Sequence, residues 1–268
     1  MIYIIIIVLL LFFLYMYLLA PSKPDAAKTS AFLNRNFAHR GLYTKDQSIA
    51  ENTIQAFSRA AEAGYGIELD IRFSKDNQIV VFHDDTLARA ANIDKPVDNF
   101  TYSELALMPL YGTDARMPLF QDVLTVINGR VPLIIELKAG KQNDELAKAA
   151  YEMLRQYTGP YGVESFAPRI IRWFKKNAPE IYRGQLACSV QTAANGTPKT
   201  LAFLASRCLL NCLSRPNFIA YELVKKPVSV RLAERLGAIP VCWTSHSSSD
   251  RSDNQMVIFE FYEPGPRF

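Results

Sequence analysis

Cysteine is scarce in this sequence, and its placement argues against a zinc site. The four cysteines, Cys188, Cys208, Cys212 and Cys242, are scattered through mostly apolar surroundings. Cys208 and Cys212 stand one helical turn apart, but no second pair at ligand spacing follows them, so a zinc site is not expected. We predict buried free thiols, which agree with a reducing compartment.

Runs of lysine and arginine are also missing. The net charge of the 268 residues is only +4, and no basic stripe accompanies it. A nucleic-acid partner is therefore not expected. The charge allows some attraction to anionic phosphate substrates or lipid headgroups, and nothing in the sequence indicates an oligomeric state.

Charge is absent altogether from residues 2–20, IYIIIIVLLLFFLYMYLLA. At a rise of about 1.5 Å per residue, this run is just long enough to cross a hydrocarbon core of ~30 Å. A cleaved signal peptide is the alternative, with Leu18-Leu19-Ala20 as its cleavage region. However, no lysine or arginine precedes the run, and the run is longer than the apolar region of a usual signal peptide. We therefore predict an uncleaved transmembrane anchor over residues 1–20.

Positive charges after the apolar run predict its orientation. Lys23, Lys28 and Arg35 follow the run, whereas no charged side chain precedes it. This asymmetry places the rest of a single-pass membrane protein in the cytoplasm. We expect residues 21–35 to be a linker and residues 36–268 to be the globular domain.

From residue 36 onward, short apolar runs alternate with segments of helical periodicity, which is typical of a parallel α/β fold. The predicted strands are 36–40, 66–72, 132–137, 161–166, 183–188, 217–222, 239–244 and 256–261. The predicted helices are 51–63, 118–128, 143–157, 168–177, 198–206 and 227–236. This order predicts a TIM-type (β/α)8 barrel. Residues 79–83 would be the returning arm of a hairpin, and residues 90–117 a small insertion after strand two.

Two helices of such a barrel are expected to be reduced. The 13 residues between Trp243 and Val257 are polar and rich in Ser and Asp, so we expect a loop in place of the seventh helix. Only residues 262–268 follow the eighth strand, so its helix is expected to be missing. We expect these changes to leave the barrel wall open there, with the exposed surface facing the membrane or a partner.

Acidic residues alternate with apolar ones in the second strand. Glu68 and Asp70 are two residues apart and so project from the same face of a strand. A half-buried strand with a solvated acidic face is one interpretation. A two-residue hairpin loop at Asp76-Asn77 would instead place His83 opposite Asp70, on the acidic face. Two carboxylates and an imidazole together would suit a divalent metal and acid–base chemistry.

A set of short motifs in a fixed order adds to this interpretation. The motifs are Ala38-His39-Arg40-Gly41, Glu51-Asn52-Thr53, Glu68-Leu69-Asp70, His83-Asp84, Leu133-Ile134-Ile135-Glu136-Leu137-Lys138, Glu164-Ser165-Phe166, Cys242-Trp243-Thr244 and Val257-Ile258-Phe259-Glu260. Together they resemble the glycerophosphodiester phosphodiesterase family over roughly residues 36–263. The resemblance implies the same barrel, with its active site at the C-terminal ends of the strands.

The resemblance also implies roles for individual residues. Glu68, Asp70 and Glu136 would hold one divalent cation, calcium or magnesium. His39 and His83 would serve as general acid and base, since imidazole titrates near neutral pH. The third histidine, His246, lies in a Ser-rich loop and is expected to be solvated.

Further residues would bind the substrate. Arg40 and Lys138 would bind the phosphodiester, although Glu136 and Lys138 could form an ordinary surface salt bridge instead. Glu51 would orient the substrate or Arg40; the alternative is a helix N-terminal charge. Trp243 would wall the pocket, with core packing as the alternative. Glu164 and Glu260 are lesser candidates.

The predicted function is that of a membrane-anchored phosphodiesterase in lipid metabolism. It would cleave glycerophosphodiesters, as small-molecule substrates, to sn-glycerol 3-phosphate and an alcohol. Alternatives are a lysophospholipase D or sphingomyelinase D-like cleavage of lipid phosphodiesters, or a catalytically inactive, membrane-tethered binding domain. Retention of both histidines, three carboxylates and two cations argues against the inactive domain, because a binding module needs no paired acid and base.

Overall fold

Eight parallel strands close into a ring in the computed structural model of this chain, which describes residues 1–268. The strands of the whole molecule are β1 (Arg35–Ala38), β2 (Gly66–Phe73), β3 (Ile79–Val81), β4 (Thr86–Leu87), β5 (Ile93–Pro96), β6 (Leu133–Leu137), β7 (Tyr161–Ser165), β8 (Tyr182–Ala187), β9 (Phe218–Glu222), β10 (Ile239–Ser245) and β11 (Met256–Phe259). Pairing of β1 with both β2 and β11 closes the ring of β1, β2 and β6 to β11. The predicted (β/α)8 barrel is confirmed.

Helices surround the ring. They are α1 (Ile2–Leu19), α2 (Ala26–Thr29), α3 (Ile54–Glu62), α4 (Ala88–Ala91), α5 (Tyr102–Leu105), α6 (Phe120–Ile127), α7 (Asn143–Leu154), α8 (Pro168–Asn177), α9 (Val190–Ala193), α10 (Lys199–Ser206), α11 (Asn211–Ser214) and α12 (Val228–Arg235). Local sequence explains several helix starts. The Thr53 hydroxyl accepts a hydrogen bond from the Ala56 backbone N–H at 3.3 Å, and Pro168 occupies the first turn of α8.

The interior of the barrel changes from apolar to acidic along the strands. Near the strand starts it is filled by large side chains that include Phe37 and Phe218. Glycines make room for these rings, because a Cβ atom at Gly66 would lie 2.4 Å from Phe37 and one at Gly184 would lie 2.0 Å from Phe218. Toward the strand ends the inward side chains become carboxylates. The polar groups of the interior therefore gather at the C-terminal end of the strands, hereafter the mouth.

The segment that we expected to be a linker packs against the opposite end of the barrel, hereafter the floor. It contains α2, and its Phe32 is only 2% exposed. The Phe32 ring lies 6.2 Å from that of Phe37 and 4.8 Å from that of Tyr182. Residues 21–35 therefore contribute to the barrel core, and the packing continues without a break across residue 36.

The expectation of an open barrel wall is wrong. The seventh helix is reduced to a 3₁₀ turn, Ser248–Arg251, as expected, yet Val257 and Phe259 on β11 are each only 1% exposed. Residues after β11 cover this wall: Tyr262 packs on Phe259, and the Tyr65 hydroxyl donates a 2.6 Å hydrogen bond to the Pro264 carbonyl. Aromatic side chains and a returning chain thus bury the surface that a helix would otherwise cover.

The hairpin after β2 has a different register from the predicted one. Ile71 pairs with Val81, and the Phe82 N–H donates to the Asp70 carbonyl at 3.0 Å, so Phe82 lies opposite Asp70 and the prediction for His83 is wrong. The loop has three residues rather than two, because Asn77 adopts a left-handed conformation with φ of 57°. His83 lies beyond the end of β3, so the slip in register does not decide where its side chain points.

The insertion after β3 is more regular than expected. It includes the two-stranded sheet of β4 and β5, the short helices α4 and α5, and the 3₁₀ turn Val97–Asn99. Leu87, Val97 and Leu105 are fully buried in its own small core. The insertion carries Asp84 and Arg89 toward the mouth.

α1 is long and apolar enough to cross a membrane, by length and composition, a test that a signal sequence would also pass. Most of its side chains are exposed, and only its last turn contacts the barrel. There Leu19 is fully buried in a cluster that includes Tyr221, Val230 and Ala233. The candidate span is therefore joined to the outer wall beside α11 and α12.

Candidate active site

The predicted site residues come from the ends of several barrel strands and meet at the mouth. His39 and Arg40 follow β1, and Glu260 follows β11. The remaining strand residues are Glu68 and Asp70 on β2, Glu136 on β6 with Lys138 just after it, Glu164 on β7 and Trp243 on β10. Distant parts of the sequence thus contribute to one site.

Three carboxylates form the centre of the site. Asp70 and Glu136 are direct partners in the pairing of β2 with β6. One oxygen from each of Glu68, Asp70 and Glu136 lies within 4.8 Å of the others. All three residues are buried, with exposures of 2%, 1% and 7%. Buried carboxylates at this separation repel one another and need compensating positive charge.

The protein compensates these charges unevenly. Burial and then repulsion from Asp70 raise the pKa of Glu68 well above its ordinary value. Burial also raises the pKa of Glu136, although Lys138 opposes the rise. Burial alone would raise the pKa of Asp70 as well, but Lys138, His83 and Arg40 lower it well below its usual range. Asp70 is thus the ionised partner of the local cations, and Glu68 is the carboxylate with least compensation.

This donor set fits a divalent cation. Carboxylate oxygens on neighbouring rigid strands are the ligands that calcium and magnesium prefer. A cation held by Glu68, Asp70 and Glu136 would supply the positive charge that Glu68 lacks. The residues present therefore fit the predicted metal site.

Two side-chain cations border the carboxylates. The Arg40 Nε lies 3.5 Å from Asp70, and its backbone N–H donates to Glu68 at 2.9 Å. The Lys138 Nζ lies 2.8 Å from Glu136 and 3.3 Å from Asp70. Burial lowers the pKa of Lys138, but Glu136 and Asp70 outweigh burial and raise it. Both cations therefore stay charged beside the site, as anion-binding groups must.

Glu51 joins two arginines. Its carboxylate accepts hydrogen bonds from the Arg40 Nη1 at 2.8 Å and from Arg89 at 2.6 and 3.0 Å. Burial opposes ionisation, but the hydrogen bonds from Arg89 and the charge of Arg40 lower the pKa of Glu51. These contacts lie across the site rather than along α3, so helix charge compensation does not account for Glu51.

His39, at the end of β1, is held by a carboxylate at the end of the neighbouring strand β11. Its Nδ1 lies 2.7 Å from Glu260, and its Nε2 lies 4.0 Å from Glu68. Burial lowers the pKa of His39 more than its hydrogen bond to Glu260 raises it. The imidazole is therefore neutral at neutral pH, and the proton on Nδ1 leaves Nε2 free to accept another.

Glu260, a lesser candidate in the sequence analysis, contacts two further side chains besides His39. Its carboxylate also accepts a 2.6 Å hydrogen bond from the Tyr43 hydroxyl and lies 2.9 Å from the His246 Nε2. Burial would raise the pKa of Glu260, but the hydrogen bonds from His39, Tyr43 and His246 lower it to about 2. His246 is 58% exposed, and its contact with Glu260 places it at the edge of the site rather than in solvent alone.

His83 is likewise held by a carboxylate of its own. Its Nδ1 lies 2.6 Å from the Asp84 carboxylate, which Arg89 holds in turn at 2.7 Å. The side chain of His83 is 32% exposed. Attraction to His83 is one of the causes that lower the pKa of Asp70.

Trp243 and Glu164 lie inside the mouth without bonds to the site residues. The Trp243 Nε1 donates to the Ala220 carbonyl at 3.0 Å, and its ring meets Phe166 edge-on at 5.6 Å. Glu164 is 1% exposed, and burial followed by repulsion from Glu136 raises its pKa well above the ordinary value. The barrel interior thus favours the neutral form of Glu164.

Sequence reasoning missed several residues that orient the site. The Asn52 amide donates to Asp70 at 2.8 Å, and Arg89, Asp84 and Tyr43 form the contacts described above. Asn52 and Asp84 belong to quoted motifs but were given no role, and only the folded chain brings Arg89 to Glu51, 38 residues away. No periodicity marks such residues, because they lie in loops or, for Arg89, in the four-residue helix α4 and not on strands.

Comparison with known proteins identifies the family of this chain. The model of the glycerophosphoryl diester phosphodiesterase family matches residues 39–260, which begin at His39 and end at Glu260. The chain belongs to this family. The resemblance on which the site residues were predicted is therefore confirmed at the level of the family.

Curated relatives match this family member over part of their length. A lysophospholipase D of Rattus norvegicus is 31% identical over 159 residues, which are 53% of this chain and 48% of the relative. A glycerophosphodiester phosphodiesterase of Caldanaerobacter subterraneus is 34% identical over 162 residues, 56% of this chain and 65% of the relative. The matches thus span between about half and two thirds of the relatives.

Solved structures share the fold. A phosphodiesterase of Oleispira antarctica, in complex with the product sn-glycerol-3-phosphate, has a TM-score of 0.68 at 23% identity and covers 85% of this chain and 93% of its own. A glycerophosphodiester phosphodiesterase of Parabacteroides distasonis has a TM-score of 0.66, also at 23% identity, with the same coverage. At these identities the likeness is one of fold.

Proposed function

We propose that this family member is a metal-dependent phosphodiesterase that hydrolyses glycerophosphodiesters to sn-glycerol 3-phosphate and an alcohol, in phospholipid and glycerol metabolism. The observation that carries the proposal is the cluster of three buried carboxylates within 4.8 Å of one another, with Arg40 and Lys138 beside it. The activities of the Caldanaerobacter relative and the product bound to the Oleispira enzyme support the same reaction.

In this reaction Arg40 and Lys138 bind the phosphate oxygens. A guanidinium can contact two oxygens at once, whereas an ammonium acts as a point charge. A divalent cation held by Glu68, Asp70 and Glu136 would act as a Lewis acid on the phosphate and on an attacking hydroxyl. Glu51 keeps Arg40 in place through their 2.8 Å contact.

The two histidines divide the proton transfers. The glycerol 2-hydroxyl attacks phosphorus, an O–P bond forms, and His39 accepts the hydroxyl proton on Nε2. His83 donates a proton to the leaving alcohol as its P–O bond breaks. Water then opens the cyclic phosphate with the roles reversed, which restores both protonation states. Glu260 and Asp84 hold the two rings through their Nδ1 atoms at 2.7 and 2.6 Å.

The space beside Lys138 can hold the alcohol part of a diester. A cavity of about 370 Å³ lies between the insertion and the β6–α7 loop, lined mainly by polar residues such as Arg72, Asp85 and Lys141. These charged side chains can contact hydroxyls and charged head groups, while the stems of the same residues add apolar surface. Lysophospholipase D activity is the second candidate, favoured by the Rattus relative and by the partly exposed rings of Phe166 and Phe261.

A substrate screen tests the proposal. Glycerophosphocholine, -ethanolamine, -inositol and -glycerol should be hydrolysed with kcat/KM at least about tenfold above that for lysolipids, with calcium or magnesium present. Release of sn-glycerol 3-phosphate and of the alcohol is the measurement. Faster cleavage of lysolipids would establish the second candidate instead, and no turnover of any diester would indicate a binding domain.

The proposed organisation has α1 as an uncleaved anchor, with the barrel of residues 36–268 on the cytoplasmic side. We expect the full chain to stay in the membrane fraction through an alkaline wash, because about 18 apolar residues suffice for a stable span. N-terminal sequencing of the mature protein is the second measurement. A soluble protein that begins near residue 21 would show that α1 is a signal peptide.

A further inference from the structure

Basic residues collect where α1 joins the barrel, far from the mouth. The Arg215 Nη1 donates to the carbonyls of Tyr17 and Ala20 at 2.8 and 2.7 Å. Its guanidinium also lies 4.4 Å from the centre of the Tyr17 ring. A positive charge is thereby fixed at the C-terminal end of the candidate span.

Arg183, near the start of β8, carries a buried charge that forms no salt bridge. It is 4% exposed, and it donates only to the neutral acceptors Pro179 O, Ile181 O and Ser22 Oγ. Its Nε has no acceptor at all. Burial lowers the pKa of this guanidinium, and attraction to Glu180 opposes that fall only in part. Isolated buried charges are costly unless an anion accompanies them.

A third cation lies between these two. The Lys175 Nζ donates to the carbonyls of Cys212 and Leu213 at 3.4 and 3.3 Å. Burial and then repulsion from Arg215 and Arg183 lower the pKa of Lys175. Salt bridges to carboxylates are absent from Lys175, Arg183 and Arg215, although many other basic residues of the chain form them. The protein thus holds like charges together without neutralising them.

A cavity adjoins Arg183 at the floor of the barrel. Its volume is about 420 Å³, and Ser22, Lys23, Lys28 and Asn217 contribute to its lining. Its two carboxylates are engaged elsewhere. Asp25 accepts from the Ala27 N–H as the cap of α2, and Glu180 accepts from the Tyr151 hydroxyl at 3.1 Å. Neither forms a salt bridge with the cations of the cavity, although the Lys28 Nζ donates to the Glu180 backbone carbonyl at 2.9 Å and Glu180 attracts Arg183. The lining holds more basic than acidic side chains, which leaves an excess of positive charge for an added anion.

We propose that this floor cavity binds a phosphate-ester anion, with Arg183 in its wall and Lys23 and Lys28 at its rim. The site lies at the strand starts, so it is distinct from the carboxylate site at the mouth. Because Arg215 places the same basic region at the end of α1, the phosphate of an anionic phospholipid headgroup is within reach when α1 spans a bilayer. Basic pockets beside transmembrane helices bind such headgroups.

Binding to the full chain in detergent micelles tests the proposal. The probes are short-chain phosphatidic acid, the matching phosphatidylcholine, and inorganic phosphate as a competitor, with bound lipid measured by native mass spectrometry. The test variant is Lys23→Glu with Lys28→Glu. The control is Lys148→Glu with Lys199→Glu, two exposed lysines whose replacement gives the same change in net charge.

We expect a one-to-one complex with phosphatidic acid that the test variant weakens at least about tenfold and the control leaves within about twofold. Displacement of the lipid by millimolar phosphate would identify the phosphate group alone as the ligand. Lipid binding that resists phosphate but depends on Lys23 and Lys28 would identify the membrane lipid. Equal binding by the wild type and the test variant, or equally tight binding of phosphatidylcholine, would overturn the proposal.

Folding and catalysis are monitored separately. All variants should keep the wild-type melting temperature, since the substituted side chains are exposed. Hydrolysis of a soluble glycerophosphodiester should be unchanged in the test variant, because the floor and the mouth are at opposite ends of the barrel. Loss of lipid binding by the test variant with intact hydrolysis would therefore report on the floor cavity alone. Absence of hydrolysis in every variant would contradict the proposed function and leave the lipid-binding result unaffected.

Discussion

Chelation of divalent cations should abolish hydrolysis, and Glu68→Gln should lower turnover by about 10²–10⁴-fold at saturating metal. A metal ion acting as a Lewis acid contributes several kcal/mol, and about 1.4 kcal/mol corresponds to a tenfold change in rate. Glutamine keeps the shape of Glu68 but cannot supply an anionic ligand. Activity after dialysis against chelator, followed by titration with calcium or magnesium, measures the requirement.

Measurements of metal binding and of melting temperature test this prediction independently of activity. Calorimetric titration should show weak metal binding by Glu68→Gln and unchanged binding by Glu145→Gln, a control on the exposed face of α7. In chelator, Glu68→Gln should melt no lower than the wild type. The substitution removes a buried carboxylate whose pKa is raised by burial and by Asp70, so it relieves repulsion. Full activity in excess chelator would disprove the metal-dependent reaction.

Replacement of either histidine should have the second large effect. General acid or base assistance is worth about 10²–10⁴-fold, so His39→Ala and His83→Ala should each lower kcat by that factor with little change in KM. The double variant should lose less than the product of the two single effects, since both groups serve one displacement. Steady-state kinetics on a natural glycerophosphodiester is the measurement.

Leaving-group chemistry separates the two roles. A nitrophenyl ester needs little protonation of its leaving group, so it should restore much of the activity of His83→Ala but not of His39→Ala. Arg40→Lys keeps a charge but loses the paired N–H donors, and we expect a substantial loss of kcat/KM. Rescue of His39→Ala instead would reverse the assignment of acid and base. Near wild-type kcat in both alanine variants would contradict the catalytic roles altogether.

Replacement of Glu260 should have a smaller effect than replacement of His39. Glu260 touches His39 at 2.7 Å and is proposed to position the ring, so Glu260→Gln should lower kcat less than His39→Ala does. The acidic limb of the pH profile should also move, because the carboxylate stabilises the protonated imidazole. A purely structural role would change the melting temperature and leave that profile in place.

Sequence alone determined the barrel and most of its centre. Alternation of apolar runs with helical periodicity predicts each barrel strand to within a few residues, since burial on both faces demands apolar residues throughout a parallel strand. The two-residue spacing of Glu68 and Asp70 likewise places both carboxylates on one face. Strand geometry has a fixed period of two, so these predictions need no knowledge of the rest of the fold.

Only the tertiary structure decided the groups that orient this centre. Arg89 reaches Glu51, and Glu260 reaches His39 across the seam between β11 and β1, 221 residues apart in the chain. The hairpin register depended on the left-handed conformation of Asn77, which a count of residues does not supply. The same is true of the floor cavity, where Arg183 meets Ser22 from 161 residues away. Contacts between loops have no period, and the packing of the whole barrel determines them.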